Sequence, residues 1–232
     1  MERLVLFDID ETITASDGAG RRAIGRALND IYGIDASKIT LSMSGKTDPQ
    51  ILREIFKAVE KNDEEIDEML GRKDEMFNIY LDLLEEELKN AKYFIVHQGV
   101  VELLESLSAH SNGYLGLLTG NIERGARLKL EQFGLNKYFP LGAYGSDHAS
   151  RNELPAIATL RAKEHFKVDF RPEQVVIIGD SIYDVLCAKG YGARSIAVNT
   201  GKTSKADLEE QKPDYLFANL TDTHAVIEAI FA

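Results

Sequence analysis

The sequence holds a single cysteine, Cys187, so neither a disulfide framework nor a cysteine-based metal site can form within the chain. Cys187 reads as a small core residue of an amphipathic helix. No apolar run approaches the ~18 residues that a membrane span needs. Positive charge is in deficit, with 27 basic against 38 acidic residues and a formal net charge of −11. That balance opposes nucleic-acid backbones and anionic membrane surfaces as partners. There are no internal repeats and no low-complexity segment. The five histidines, His97, His110, His148, His165 and His224, lack metal-ligand spacing and receive no role; only His148 lies near a candidate site loop. The apolar run begins at once, leaving no room for a secretory signal, so a cytoplasmic location is expected.

What is present begins with Arg3-Leu4-Val5-Leu6-Phe7-Asp8-Ile9-Asp10-Glu11-Thr12. A short continuous apolar run ending on polar residues predicts a buried parallel strand. Ligands of open α/β sheets bind beyond the carboxyl ends of such strands, which is where Asp8 falls. Two carboxylates beside a hydroxyl suit metal-assisted phosphoryl transfer, one as nucleophile and cation ligand, the other as acid and base. Taken alone, Asp8-x-Asp10 also fits a turn or a helix cap.

From about 15 to 92 the apolar positions recur at helical spacing, and no strand is expected. Asp48-Pro49 predicts a helix start with Asp48 as N-cap, and one period runs from Asp63 to about Asn90. From Gly99 onward, helices alternate with strands expected at 114–118, 141–144, 174–178, 195–198 and 215–217. Alternation of this kind implies right-handed crossovers and a parallel sheet, which the first strand must join. The predicted fold class is therefore α/β, a Rossmann-like core (1–14 and 93–232) with an inserted helical domain (15–92).

Three strand ends carry polar tips: Asp8-x-Asp10-x-Thr12, Thr119-Gly120-Asn121 and Gly179-Asp180-Ser181-Ile182-Tyr183-Asp184. Asn121 and Ser181 also stand where helix caps are needed. Ser44-Gly45-Lys46-Thr47 looks at first like a phosphate-binding loop, but it lacks the first glycine and the preceding strand, which excludes that reading.

Together the three tips resemble the haloacid dehalogenase superfamily, and within it the phosphoglycolate phosphatase-like members with a C1-type helical cap. The resemblance implies a Mg²⁺-dependent phosphatase that hydrolyses a small phosphorylated metabolite, of the phosphoglycolate type, through an aspartyl-phosphate. It makes Asp8 the nucleophile and Asp10 the acid/base. Mg²⁺ would be held by Asp8, Asp180 and the Asp10 carbonyl, with Asp184 joining the metal shell or pairing with the basic residue. Thr119 would bind the phosphoryl group, assisted by Gly120, Asn121 and Thr12. The third motif departs from the family, with Ser150-Arg151-Asn152-Glu153-Leu154-Pro155 lacking a proline directly after the basic residue. Chemistry selects Arg151 as the fixed cation, leaving Asn152 as a helix cap. Lys46, on the cap, would bind an anionic end of the substrate, or else be solvated. Alternatives are a β-phosphoglucomutase-like phosphotransferase, a phosphonatase-like C–P hydrolase using Lys46, and a non-catalytic phosphate-ligand binding module. Oligomeric state is not readable.

Overall fold

The computed structural model describes residues Met1–Ala232. Strand β1 (Arg3–Phe7) is buried along its whole length, which is why it can be apolar on both sides. After it come a two-residue strand β2 (Thr14–Ala15) and helices α1 (Ala19–Tyr32), α2 (Asp48–Ala58), α3 (Asp63–Gly71) and α4 (Lys73–Lys89). The chain continues through β3 (Ile95–Val96), α5 (Val100–Ala109), β4 (Gly113–Leu118), α6 (Glu123–Glu131), β5 (Gly142–Ala143), α7 (Leu154–Phe166) and β6 (Val175–Gly179). It closes with α8 (Ile182–Tyr191), β7 (Arg194–Val198), α9 (Lys205–Glu210), β8 (Tyr215–Phe217) and α10 (Thr223–Phe231).

Six strands form one parallel sheet in the order β5-β4-β1-β6-β7-β8. Alternation along β1 sends Val5 and Phe7 into a core with Leu103, Leu107, Leu130 and Ile230. Leu4 and Leu6 face the opposite layer, with Leu154, Ala158, Cys187 and Ala188. Emptying a fully buried aromatic site such as Phe7 costs ~3–5 kcal/mol, so β1 anchors both layers. The strand order reverses around β1, with β4 on one side and β6 on the other; such a reversal opens a crevice at the carboxyl ends of the strands. No helix is long and apolar enough to cross a membrane.

Helices α1–α4 share a separate apolar core that includes Ile24, Leu28, Leu52, Phe56, Tyr80 and Leu84. Ile122, from the turn after β4, also packs into that cluster.

Several local expectations give way to tertiary structure. The segment expected as one helix from Asp63 breaks at Arg72, which ends α3 and begins α4. Ala15, at the start of the stretch read as free of strand, joins Thr14 in pairing antiparallel with β3, Thr14 opposite Val96 and Ala15 opposite Ile95. Thr47 rather than Asp48 caps α2, its hydroxyl accepting the Gln50 N–H, because the Asp48 carboxylate is engaged elsewhere. Asn152 caps nothing: it lies in a short 3₁₀ turn and α7 starts two residues later. The short helix α9 was not anticipated.

Candidate active site

The carboxyl ends of three neighbouring strands deliver Asp8 from β1, Thr119 from β4 and Asp180 from β6 to one place. All three are buried. Carboxylate oxygens of Asp8, Asp180 and Asp184 lie within 4.8 Å of one another. Arg151 reaches into this group, with Nη2 3.3 Å from Asp8 Oδ1 and 2.5 Å from Asp184 Oδ1. The same guanidinium donates to the Gly45 carbonyl at 3.2 Å, touching the loop before α2.

One guanidinium cannot balance three buried carboxylates. Burial pushes the Asp8 carboxyl up to about 6; Arg151 opposes the shift, while Asp184 and Asp10 add to it. Asp180 is pushed well above its ordinary value by burial, then by Asp184 and Asp8. Burial also disfavours the Arg151 charge, but Asp184 and Asp8 more than restore it. Close oxygen donors carrying excess negative charge are what a hard divalent cation requires, so the donor set fits one.

The supporting contacts are specific. Asp184 keeps one oxygen on Arg151, while Oδ2 accepts the Ser181 N–H at 3.0 Å and the Ser181 hydroxyl at 2.6 Å. Ser181 is thus the N-cap of α8 in a capping box closed by Asp184. Thr12 does not line the cavity; its buried hydroxyl donates to Asp180 Oδ1 at 3.3 Å. Gly201 passes so close that a Cβ there would stand 1.8 Å from Asp180 Oδ2. His148 stays in its own loop, its Nδ1 accepting the Ser150 N–H.

Asp10 turns away from the three-acid group. Lys129 Nζ donates to both of its carboxylate oxygens at 2.7 Å and to Asn121 Oδ1 at 2.7 Å. Asn121 Nδ2 donates to Asp10 Oδ2 and to Thr119 Oγ1, each at 2.8 Å. Asn121 therefore belongs to a side-chain network and does not cap α6. Desolvation works against the Asp10 charge, but the Lys129 charge and the hydrogen bonds from Lys129 and Asn121 outweigh it and hold the carboxyl below its ordinary range.

Sequence reasoning missed Lys129. Its signal was a lysine on the buried stripe of α6, between Ala126 and Leu130. Asp48 was noticed for the wrong role: Oδ2 accepts the Ile122 N–H at 2.9 Å, and the Asp48 N–H donates to the Gly120 carbonyl at 2.8 Å.

A cavity of about 250 Å³ lies above the strand ends, between the sheet and α1–α4. Asp8, Asp10, Thr119, Gly120, Asn121, Lys46 and Arg151 all line it. Lys46 is mostly covered, and its Nζ donates to Glu54 Oε2 at 2.5 Å. Arg21 and Lys202 line the same cavity, and Arg21 donates to the Leu41 and Ile39 carbonyls, not to a carboxylate.

The profile described as haloacid dehalogenase-like hydrolase matches residues 5–198. A phosphoglycolate phosphatase from Haemophilus influenzae is 25% identical over 222 residues, covering 93% of each chain. The pyrophosphatase PpaX of Anoxybacillus flavithermus is 24% identical over 230 residues, covering 96% of this chain and 95% of the relative. Among solved structures, a hydrolase from Pseudomonas syringae superposes with a TM-score of 0.72 at 21% identity, covering 99% of both chains.

Proposed function

Because this chain belongs to the haloacid dehalogenase-like hydrolase family, a family whose phosphatase members it resembles along nearly its whole length, we propose a Mg²⁺-dependent phosphatase acting on a small phosphorylated metabolite. The observation that carries this reading is the position of Asp8 at the end of the central strand, buried between Thr119 and Asp180 and beside Arg151.

In this reading an Asp8 oxygen attacks phosphorus. The new O–P bond forms as the ester O–P bond breaks, and the leaving oxygen takes the bonding pair and a proton from Asp10. Asp10 must first take that proton up from solvent, against the pull of Lys129 and Asn121. Water then attacks the aspartyl-phosphate, giving its proton to Asp10 while the bonding pair returns to Asp8. Thr119 and the N–H groups after it hold the transferring group, and Arg151 balances its negative charge. Asp8, Asp180 and the Asp10 carbonyl would hold Mg²⁺, with Asp184 bracing Arg151 beside them. The bound ion would supply charge neutralisation at a phosphoryl oxygen.

Residues 15–92 act as a cap over a core formed by 1–14 and 93–232. Closure would exclude water before transfer. Arg21 and Lys202 bring to the cavity two cations that pair with no carboxylate of the chain, which suits an anionic substrate. The ion pair between Lys46 and Glu54 argues against a C–P hydrolase, which would need that amine free to condense with a carbonyl.

Phosphate release from p-nitrophenyl phosphate, 2-phosphoglycolate and pyrophosphate, with Mg²⁺ and with EDTA, tests the reading. Metal-dependent release that Asp8→Asn abolishes supports it. Turnover that survives Asp8→Asn, or none on any of the three, rejects it.

A further inference from the structure

Lys129 is a buried cation that the mechanism above leaves without a task. It sits on the inner stripe of α6, its side chain 3% exposed, and all three of its close acceptors belong to residues at the strand ends. A buried lysine needs acceptors, and a second buried carboxylate lies within its electrostatic reach. Asp48 is buried in the same region and its Oδ2 is given instead to a backbone N–H. The ammonium is committed to Asp10.

Asp10 lies two residues after Asp8, in a region where Arg151 is the strongest fixed cation. The Asp8–Asp180–Asp184 group carries more negative charge than Arg151 balances, so without a cation of its own the Asp10 carboxylate would be pushed out of place. A carboxylate that swings away is lost as a proton carrier for the leaving group. Lys129 and Asn121 fix it instead, with three contacts at 2.7–2.8 Å on the two oxygens. The helical insert roofs this arrangement: Lys129 Nζ is 3.5 Å from the point where a Cβ on Gly20 of α1 would stand, and Tyr80 of α4 is adjacent.

We propose that Lys129 is a positioning residue for Asp10, fixing that carboxylate beside the three-acid group, against its repulsion, at the wall of the cavity. This rests on the phosphatase reading, in which Asp10 donates to the leaving oxygen. The role concerns only substrates whose leaving oxygen needs a proton. An alkoxide leaving group needs one; p-nitrophenolate does not.

The test compares kcat/KM, which reports the first irreversible step, for 2-phosphoglycolate and p-nitrophenyl phosphate. Lys129→Met is expected to lower kcat/KM about 10–100-fold on 2-phosphoglycolate, the scale of a misplaced catalytic group, and only a few-fold on the aryl ester. In an Asp10→Asn background, Lys129→Met should cause no further loss on either substrate. Equal losses on both esters, or a loss that multiplies with that of Asp10→Asn, would overturn the proposal and leave Lys129 a purely structural ion. If Lys129→Met does not fold, Lys129→Gln, which keeps a donor toward Asp10, is read the same way with a smaller selective loss. Wild-type turnover separates the two ideas: without it the phosphatase reading fails, and with it only the Lys129 proposal is on trial.

Discussion

Asp48 Oδ2 accepts the backbone N–H of Ile122 at 2.9 Å, joining the first turn of α2 to the turn that carries Thr119 and Asn121. The two residues are 74 positions apart in the chain. Burial pushes the Asp48 carboxyl up to about 6, with Lys129 and the Ile122 N–H opposing the shift. Its ordinary value is about 3.9. Between those values the folded protein binds more protons than the unfolded chain, so stability falls as pH rises. The contribution is fully present below about 4 and is lost as pH passes about 6, and is at most ~3 kcal/mol. Asp8, also pushed up to about 6, adds to the same slope. Asp48→Asn keeps an acceptor for Ile122 without the charge. Thermal melts of metal-free protein from pH 4 to 8 should show a shallower slope for this variant; a slope unchanged from wild type would mean Asp48 does not titrate there.

Mg²⁺ should stabilise the fold by relieving the crowding of Asp8, Asp180 and Asp184. At about 100 times its dissociation constant the gain is ~2.7 kcal/mol, equivalent to ~5–10 °C in Tm for a chain of this size. Asp180→Asn should raise the Tm of the metal-free protein and abolish the Mg²⁺ shift. A full Mg²⁺ shift in that variant would remove Asp180 from the binding set.

Arg151 contacts Asp8 and Asp184 through one nitrogen and the Gly45 carbonyl through the other. Lysine carries the charge but not the planar fork, so Arg151→Lys should stay folded and lose about 10–100-fold in kcat. Arg151→Met removes the only cation among these acids and should cost ~3–5 kcal/mol in metal-free protein. Urea unfolding and steady-state rates check both. A fully active Arg151→Lys enzyme would show that only the charge matters.

A Cβ on Gly120 would stand 2.0 Å from the Lys46 carbonyl, so here the two backbones meet with no room for a methyl group. Gly120→Ala should push the 43–48 loop off the core while the core sheet folds normally. Hydrogen exchange should rise across that loop, and KM should rise more than kcat falls. Unchanged exchange would mean the loop accommodates the methyl in place.

The parallel core was legible because its signals are local. The Leu4–Phe7 run ends on Asp8, and the run from Val175 ends on Gly179-Asp180, so pattern alone marks strand ends that carry acids. Arg151 was reachable by chemistry despite the altered text around Pro155. What stayed hidden depends on distance along the chain. Lys129 meets Asp10 across 119 residues, and only a lysine within an apolar stripe hinted at it. Asp48 before Pro49 is a sound local argument for a cap, but its carboxylate crosses to Ile122 and Thr47 takes the cap instead. Lys46, in the loop before α2, pairs with Glu54 on that helix, a contact the local text around Lys46 does not announce.

The ribbon of β2 and β3 ties the chain entering helices α1–α4 to the chain leaving them, Thr14 beside Val96 and Ala15 beside Ile95. Two separate tethers would let a load tumble about either one. Two tethers laced side by side behave as a flexure, stiff against stretching and shear within the ribbon and compliant only to bending and twisting across it. In the proposed closure, such a flexure would confine residues 15–92 to bending and twisting about the ribbon, and would return the 43–48 loop to its seat over Gly120 instead of letting it drift.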